Sequence, residues 1–241
     1  MHGIKIFFTG TFKDYFKEVI YGGIDGSVTT FAVVAGFAGS TISNNEATQL
    51  SFVVVLLFGL ANLFADGASM GLGNFLSVRS DKDLYQVSRE QERRRLKENR
   101  AMEIEETIKI LKDKGFSYEE AVRIADIYKN NEEYWLDFMM HHKKELSDPR
   151  GDNEVLTGLA TFISFMVFGS IPLLPFIWQE NGDAATAFAY SVVGTFISLV
   201  VLGLLKWRVI GERLGASLFE VVLVGGTAAA IAYMVGTFFA I

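Results

Sequence analysis

The chain has 241 residues, half of them hydrophobic yet 21% charged, with a formal charge of −6 and no cysteine. The lack of thiols excludes a disulfide framework and a thiolate metal site, so any metal must rest on carboxylate, imidazole, thioether, backbone oxygen or water. The acidic balance argues against a nucleic-acid binder, and the segregation of apolar from charged residues along the chain argues against a soluble domain.

Residues 1–17 carry aromatics and three lysines. They lack the apolar stretch and small-residue cleavage site of a secretory signal and read as an N-terminal amphipathic segment. Two apolar stretches follow, 19–39 and 50–76, each holding one acidic residue in its apolar part, Asp25 and Asp66. Both are long enough to cross a bilayer, which takes about 20 residues at ~1.5 Å each. An ionised carboxylate in hydrocarbon costs ~2.5–3.5 kcal/mol even on the lower scales, so such residues usually serve an ion path or a proton. The other explanation is a position at the water interface. It has more force for Asp25, eight residues after Lys17, than for Asp66, 13 residues before Arg79.

Asn62, Asp66 and Met70 stand at i, i+4 and i+8 and therefore stack on one helix face. An amide oxygen, a carboxylate and a thioether together suit a borderline divalent transition ion better than magnesium or calcium. Taken alone, Met70 is better explained as packing, and the stacked trio tips the reading toward function. Gly22/Gly26 and Gly67/Gly71 are small-xxx-small pairs that permit close helix approach, either across a dimer seam or within the chain.

The segment 79–153 is polar and dense in both charge signs. Its pattern predicts a long helix over 83–114 that continues the second span, because no Gly or Pro stands between Leu76 and Ala101. Ser117 with Glu120 forms a capping box that opens a second helix over 118–129. Asn131 opens a third over 132–146, and Asp148-Pro149-Arg150-Gly151 is a turn. On the long helix Glu92 and Glu103 are three turns apart and share a face with Glu106, while Glu98 and Glu105 point away. The third helix carries Met139, Met140, His141 and His142; folded back, it brings thioether or imidazole to those carboxylates, a set suited to Fe²⁺ or Mn²⁺. A solvated, ion-paired helix accounts for the same charges. Arg93-Arg94-Arg95 reads as positive charge near anionic lipid.

Three uncharged stretches follow, 155–178, 184–205 and 221–241. Five such segments cannot all be buried in the core of so small a soluble protein. Of the 22 Lys and Arg residues, 16 lie in 79–153, three in 1–17 and three at Lys206, Arg208 and Arg213, with none in 40–49 or 179–183. The positive-inside rule then places the N-terminus and 79–153 in the cytosol and Ile241 on the other side. The expected fold is an all-α membrane protein of five transmembrane helices, with a cytosolic three-helix domain inserted between helices 2 and 3. The expected domains are 1–78, 79–153 and 154–241. No Glu stands three residues before a His, which removes a ferritin-like di-iron oxidase. Nothing in the chain calls for an enzyme or a bound cofactor. A membrane-anchored metal sensor or scaffold without transport is the competing class.

Two motifs sharpen the choice. YGGIDGSVTTFAVVAG over 21–36 and ADGASMGLGNFLS over 65–77 resemble the first- and second-helix motifs of the vacuolar iron transporter family, and the stretch from Glu119 to Met140 is similar to its cytosolic part. The resemblance runs in order over nearly the whole chain. It implies a five-span homodimer that exchanges Fe²⁺ or Mn²⁺ for protons, with a metal-binding helical domain in the cytosol. Matched position by position, Asp25 and Met70 fall on the family's translocation path, and Glu92, Glu103, Glu106, Met139 and Met140 on its cytosolic ligands. Three positions depart: Asn62 and Arg95 stand where the family has carboxylates, and so does Lys143, with Glu145 nearby as a substitute. Asp66, one turn beyond Asn62, is the expected replacement in the path.

Overall fold

The computed structural model describes residues 14–41, 49–178, 184–211 and 213–238. Every regular element among them is helical: α1 (Phe16–Thr41), α2 (Gln49–Glu98), α3 (Arg100–Asp113), α4 (Tyr118–Tyr128), α5 (Glu132–His142), α6 (Glu154–Ser170), α7 (Leu174–Trp178), α8 (Ala184–Ile210) and α9 (Leu214–Phe238), with 3₁₀ turns at Pro149–Gly151 and Ile171–Leu173. Five segments are long and apolar enough to cross a membrane: Phe16–Ala38, Val53–Glu98, Glu154–Trp178, Ala185–Ile210 and Leu214–Phe238. Residues 1–13, on which the expected amphipathic segment falls, and 42–48, 179–183, 212 and 239–241 lie outside the described residues. The chain forms two compact units, residues 1–75 with 155–241, and residues 76–154.

In the first unit α1 lies against α8 and α9. In hydrocarbon the drive for such packing is close contact and interhelical hydrogen bonding rather than escape from water, and the glycines show it. A Cβ on Gly22 would stand 2.6 Å from the Thr161 carbonyl oxygen, and one on Gly26 would stand 2.4 Å from that of Phe165. Gly71 meets the Gly158 carbonyl and Phe162 in the same way. Both small-residue pairs are therefore used inside the chain, to seat α1 and α2 against α6. Around this seam Val34, Val55, Leu63, Phe165, Leu173, Phe176 and Ala187 form a buried cluster.

The expected span over 155–178 is found as Glu154–Trp178, with a 3₁₀ turn inside it. Pro172 cannot donate to the carbonyl of Phe168 four residues back, and Pro175 cannot donate to that of Ile171, so the helix tightens into a 3₁₀ turn between α6 and α7. Hydroxyls of neighbouring helices bond to carbonyls around this turn. Ser27 Oγ donates to the Phe168 carbonyl at 3.3 Å and lies 2.6 Å from Ser198 Oγ. Ser191 Oγ donates to the Pro172 carbonyl at 2.7 Å. The last two spans also differ in extent from the expected 184–205 and 221–241. The uncharged window ends before the hydrogen-bond ladder does: α8 runs on through Lys206, and α9 begins early enough to include Glu220, with which Lys206 pairs. Gly211, at φ +77°, supplies the left-handed residue that closes α8.

In the second unit α2 is unbroken to Glu98, as the lack of Gly and Pro predicts. The expected continuation to 114 fails at Asn99, whose φ of −121° and ψ of 39° leave the helical region before α3 resumes. The capping box of α4 is formed on both sides, Ser117 Oγ accepting from the Glu120 N–H and the Glu120 carboxylate accepting from the Ser117 N–H. Asn131 caps α5 through the Tyr134 N–H. That helix stops at His142 rather than 146, because Glu145 turns the chain at φ 56° and the Leu146 N–H returns to the Met140 carbonyl. A compact core of Tyr85, Leu96, Trp135, Leu136, Met139 and Met140 holds the unit together.

Candidate metal sites

The site in the first unit is built on the glycine-rich halves of α1 and α2. Asp25 and Asp66 are both half-buried and lie close enough for their charges to interact. The Asp25 carbonyl accepts a hydrogen bond from Thr29 Oγ1 at 2.8 Å, an i+4 bond that stays within the helix. Met70, one turn beyond Asp66, is half-buried and packs against the cluster containing Leu63 and Phe165. Asn62 lines a different space, a groove of about 600 Å³ between α1 and α2 with Val33, Gly36, Phe37 and Ala65. Along this face, Asn62 borders the groove, Asp66 lies within charge range of Asp25, and Met70 borders the core cluster.

The second unit brings together residues far apart in sequence. Glu92 is fully buried and Glu103 is 3% exposed. Met139 and Met140 are buried in the adjoining core, and Glu106 is half-buried one turn from Glu103. Glu98 and Glu105 are exposed, as their spacing requires. Trp135 Nε1 donates to Thr107 Oγ1 at 2.8 Å, and that hydroxyl lies 3.4 Å from Met139 Sδ, which fixes the thioether against α3.

Between the two buried carboxylates stands an ammonium group that the face-by-face sequence reading does not anticipate. Lys143 Nζ donates to Glu92 Oε1 at 2.8 Å and to Glu103 Oε2 at 2.5 Å. Lys144 Nζ stands 3.7 Å from the other Glu92 oxygen. Burial by itself would push the Lys143 ammonium down, but the hydrogen bonds to Glu103 and Glu92 and their charges outweigh it and hold the group above its ordinary value. Glu145, the expected substitute, is exposed, and Arg95 is exposed as well. Among the described residues, no three His, Cys, Asp or Glu side chains converge as a ready-made metal site. Arg93 is used within the unit, pairing with Glu133 of α5 alongside Arg89, so it is not only a lipid-facing charge.

The histidines lie beside this cluster rather than in it. His142 packs on Phe138 and His141, and desolvation, followed by His141 and Lys114, holds its pKa below the ordinary value. The clue to Lys143 was local: two lysines directly follow the buried Met139-Met140 helix end.

Comparison with known proteins agrees with these helices. The sequence model of the VIT family matches residues 16–237. The chain belongs to the VIT family. It is 33% identical over 238 residues to a vacuolar iron transporter of Toxoplasma gondii, covering 95% of this chain and 76% of that protein. It is 30% identical over 217 residues to vacuolar iron transporter 2 of Oryza sativa, covering 90% and 84%. The same identity and length are found with vacuolar iron transporter 1 of Arabidopsis thaliana, covering 90% and 83%. Family membership together with five helices of spanning length makes this VIT-family chain a multi-pass membrane protein.

Proposed function

We propose that this VIT-family protein transports Fe²⁺, and also Mn²⁺, out of the cytosol in exchange for protons, working as a homodimer in a vacuolar-type or plasma membrane. The observation that carries the reading is that Asp25 and Asp66, on two glycine-rich helices of spanning length, lie near enough for their charges to interact. Two carboxylates set together in a low-dielectric span repel one another, and a dication held between them answers both charges. A proton that takes the ion's place answers part of the same charge, so metal leaving one side and protons entering from the other become a single exchange. Met70 adds a soft ligand that favours iron over magnesium or calcium.

The segment 79–153 is the cytosolic domain in this reading, with Glu92, Glu103, Glu106, Met139 and Met140 collecting the metal. The N-terminus lies on that side, and Ile241 lies on the other. Fe²⁺ and Mn²⁺ flux into proteoliposomes, with and without a proton gradient, tests the function. Gradient-driven flux is expected for the unaltered protein and is lost in Asp25→Asn. Binding without flux in the unaltered protein would leave a membrane-anchored sensor as the function.

A further inference from the structure

The Glu92–Glu103 pair already holds a cation, and that cation belongs to the protein. We propose that Lys143 occupies the cytosolic site as a tethered counter-ion, and that a divalent metal enters only by displacing it. The inference rests on reading Glu92 and Glu103 as metal ligands.

Four observations carry it. First, one ammonium bridges both carboxylates, at 2.8 and 2.5 Å, so it stands where an ion shared by the two would stand. Second, the charge is already answered. Two carboxylates face Lys143 and, at 3.7 Å from Glu92, Lys144. The two lysine charges offset those of Glu92 and Glu103 and greatly weaken the pull of that pair on a dication. Third, Glu92 Oε2 is buried and accepts no hydrogen bond, with the Lys144 ammonium no nearer than 3.7 Å, so its capacity to bind a ligand is not used up. Fourth, Lys143 can leave. It caps the end of α5, two residues before the positive-φ turn at Glu145, and its side chain keeps 19% of its exposure, so a displaced ammonium has a route to water. A purely structural bridge would share the first two features but has no use for the open oxygen.

If the lysine-in form makes up more than about nine-tenths of the population, it weakens apparent metal affinity by about tenfold or more. The test is Mn²⁺ binding by full-length protein in lipid nanodiscs, read by the loss of the free-ion electron paramagnetic resonance signal. Lys143→Gln is expected to bind Mn²⁺ about tenfold more tightly than the unaltered protein, and adding Glu103→Gln is expected to remove that gain. Lys143→Arg keeps the charge and is expected to show no gain. Should Lys143→Gln loosen the domain, Mn²⁺ will raise its melting midpoint more than it raises that of the unaltered protein. Equal affinity in both proteins, at a site lost on Glu103→Gln, overturns the counter-ion role while leaving the ligand reading in place. A gain in Lys143→Arg equal to that in Lys143→Gln overturns it too. Absence of any binding that depends on Glu92 or Glu103 in either protein overturns the ligand reading and the inference with it.

Discussion

Gly26→Ala is the sharpest single change for linking packing to transport. The added Cβ would stand 2.4 Å from the Phe165 carbonyl oxygen, against 3.4 Å for ordinary contact, so α1 must retreat from α6 by about 1 Å. The obstacle is backbone on the facing helix, with Phe165 Cα and C also within 3.0 Å, so no rotamer change relieves it. Overpacking of this kind costs about 1–3 kcal/mol. Asp25 is the preceding residue and moves with the helix, which opens its approach to Asp66. A displacement of about 1 Å in a positioned group can cost on the order of a hundredfold in rate. Gly26→Ala is therefore expected to lower the melting midpoint in nanodiscs and to cut Fe²⁺ flux in proteoliposomes far beyond the loss of folded protein. Gly73→Ala is the control. Nothing lies within 4 Å of its added Cβ, and Ala is the better helix former by about 1 kcal/mol, so melting at or above the unaltered value is expected. Unchanged melting and full flux in Gly26→Ala would refute the reasoning, because the seam between α1 and α6 would then have slack that the contact distances deny.

Asp66→Asn keeps size but removes a charge whose attraction for a dication at about 4 Å is about 2 kcal/mol even in bulk water, so flux should fall by more than about tenfold; full proton-coupled flux would return Asp66 to a packing role. Glu103→Ala with Glu106→Ala should weaken Mn²⁺ binding by the full-length protein, whereas Glu98→Ala with Glu105→Ala, on the exposed side, should leave it unchanged; equal effects of the two pairs would mean that bulk surface charge attracts the ion. Ser117→Ala removes the N-cap of α4 and should cost about 1 kcal/mol, read as faster hydrogen exchange across that helix. The backbone and side-chain hydrogen bonds with Ser117 hold Glu120 below its ordinary value of 4.5, so its contribution is complete above that pH and fades as the pH falls through the lowered value. The Ser117 N–H bond to Glu120 persists in Ser117→Ala, so only the part of the exchange difference carried by the Ser117 hydroxyl and the Glu120 carboxylate should shrink in acid.

Legibility in the sequence followed the range of the interaction. The five apolar helices could be read because an uncharged window of about 20 residues has few other uses. The unbroken α2 could be read from missing breakers, and the cap of α4 from two residues three apart. The break at Pro172 carried its own signal, but hydropathy averages over it, and the serines that answer it, Ser27 and Ser191, come from other helices. The break at Asn99 has no Gly, Pro or capping hydrogen bond to announce it. Helical spacing put Glu92 and Glu103 on one face, and both are buried despite the break. It could not show that a lysine from α5 arrives between them, because periodicity describes one helix at a time.

The two acidic pairs differ in what answers their charge. Glu92 and Glu103 are held by two lysines of their own chain. Asp25 and Asp66 form no ion pair among the described residues, although their charges interact. Two neighbouring carboxylates left wholly unanswered out of bulk water are costly, so each pair is expected to carry positive charge through a transport cycle. In the proposed cycle that charge comes to the membrane pair as metal or as protons, and the alternation of the two would couple their movements. In the second unit the chain supplies the charge itself, so the pair can stand without cargo and without protons. On the proposed reading the same chemistry serves opposite ends: the membrane pair trades one cation for another, and the lysine-held pair admits metal when metal outcompetes Lys143.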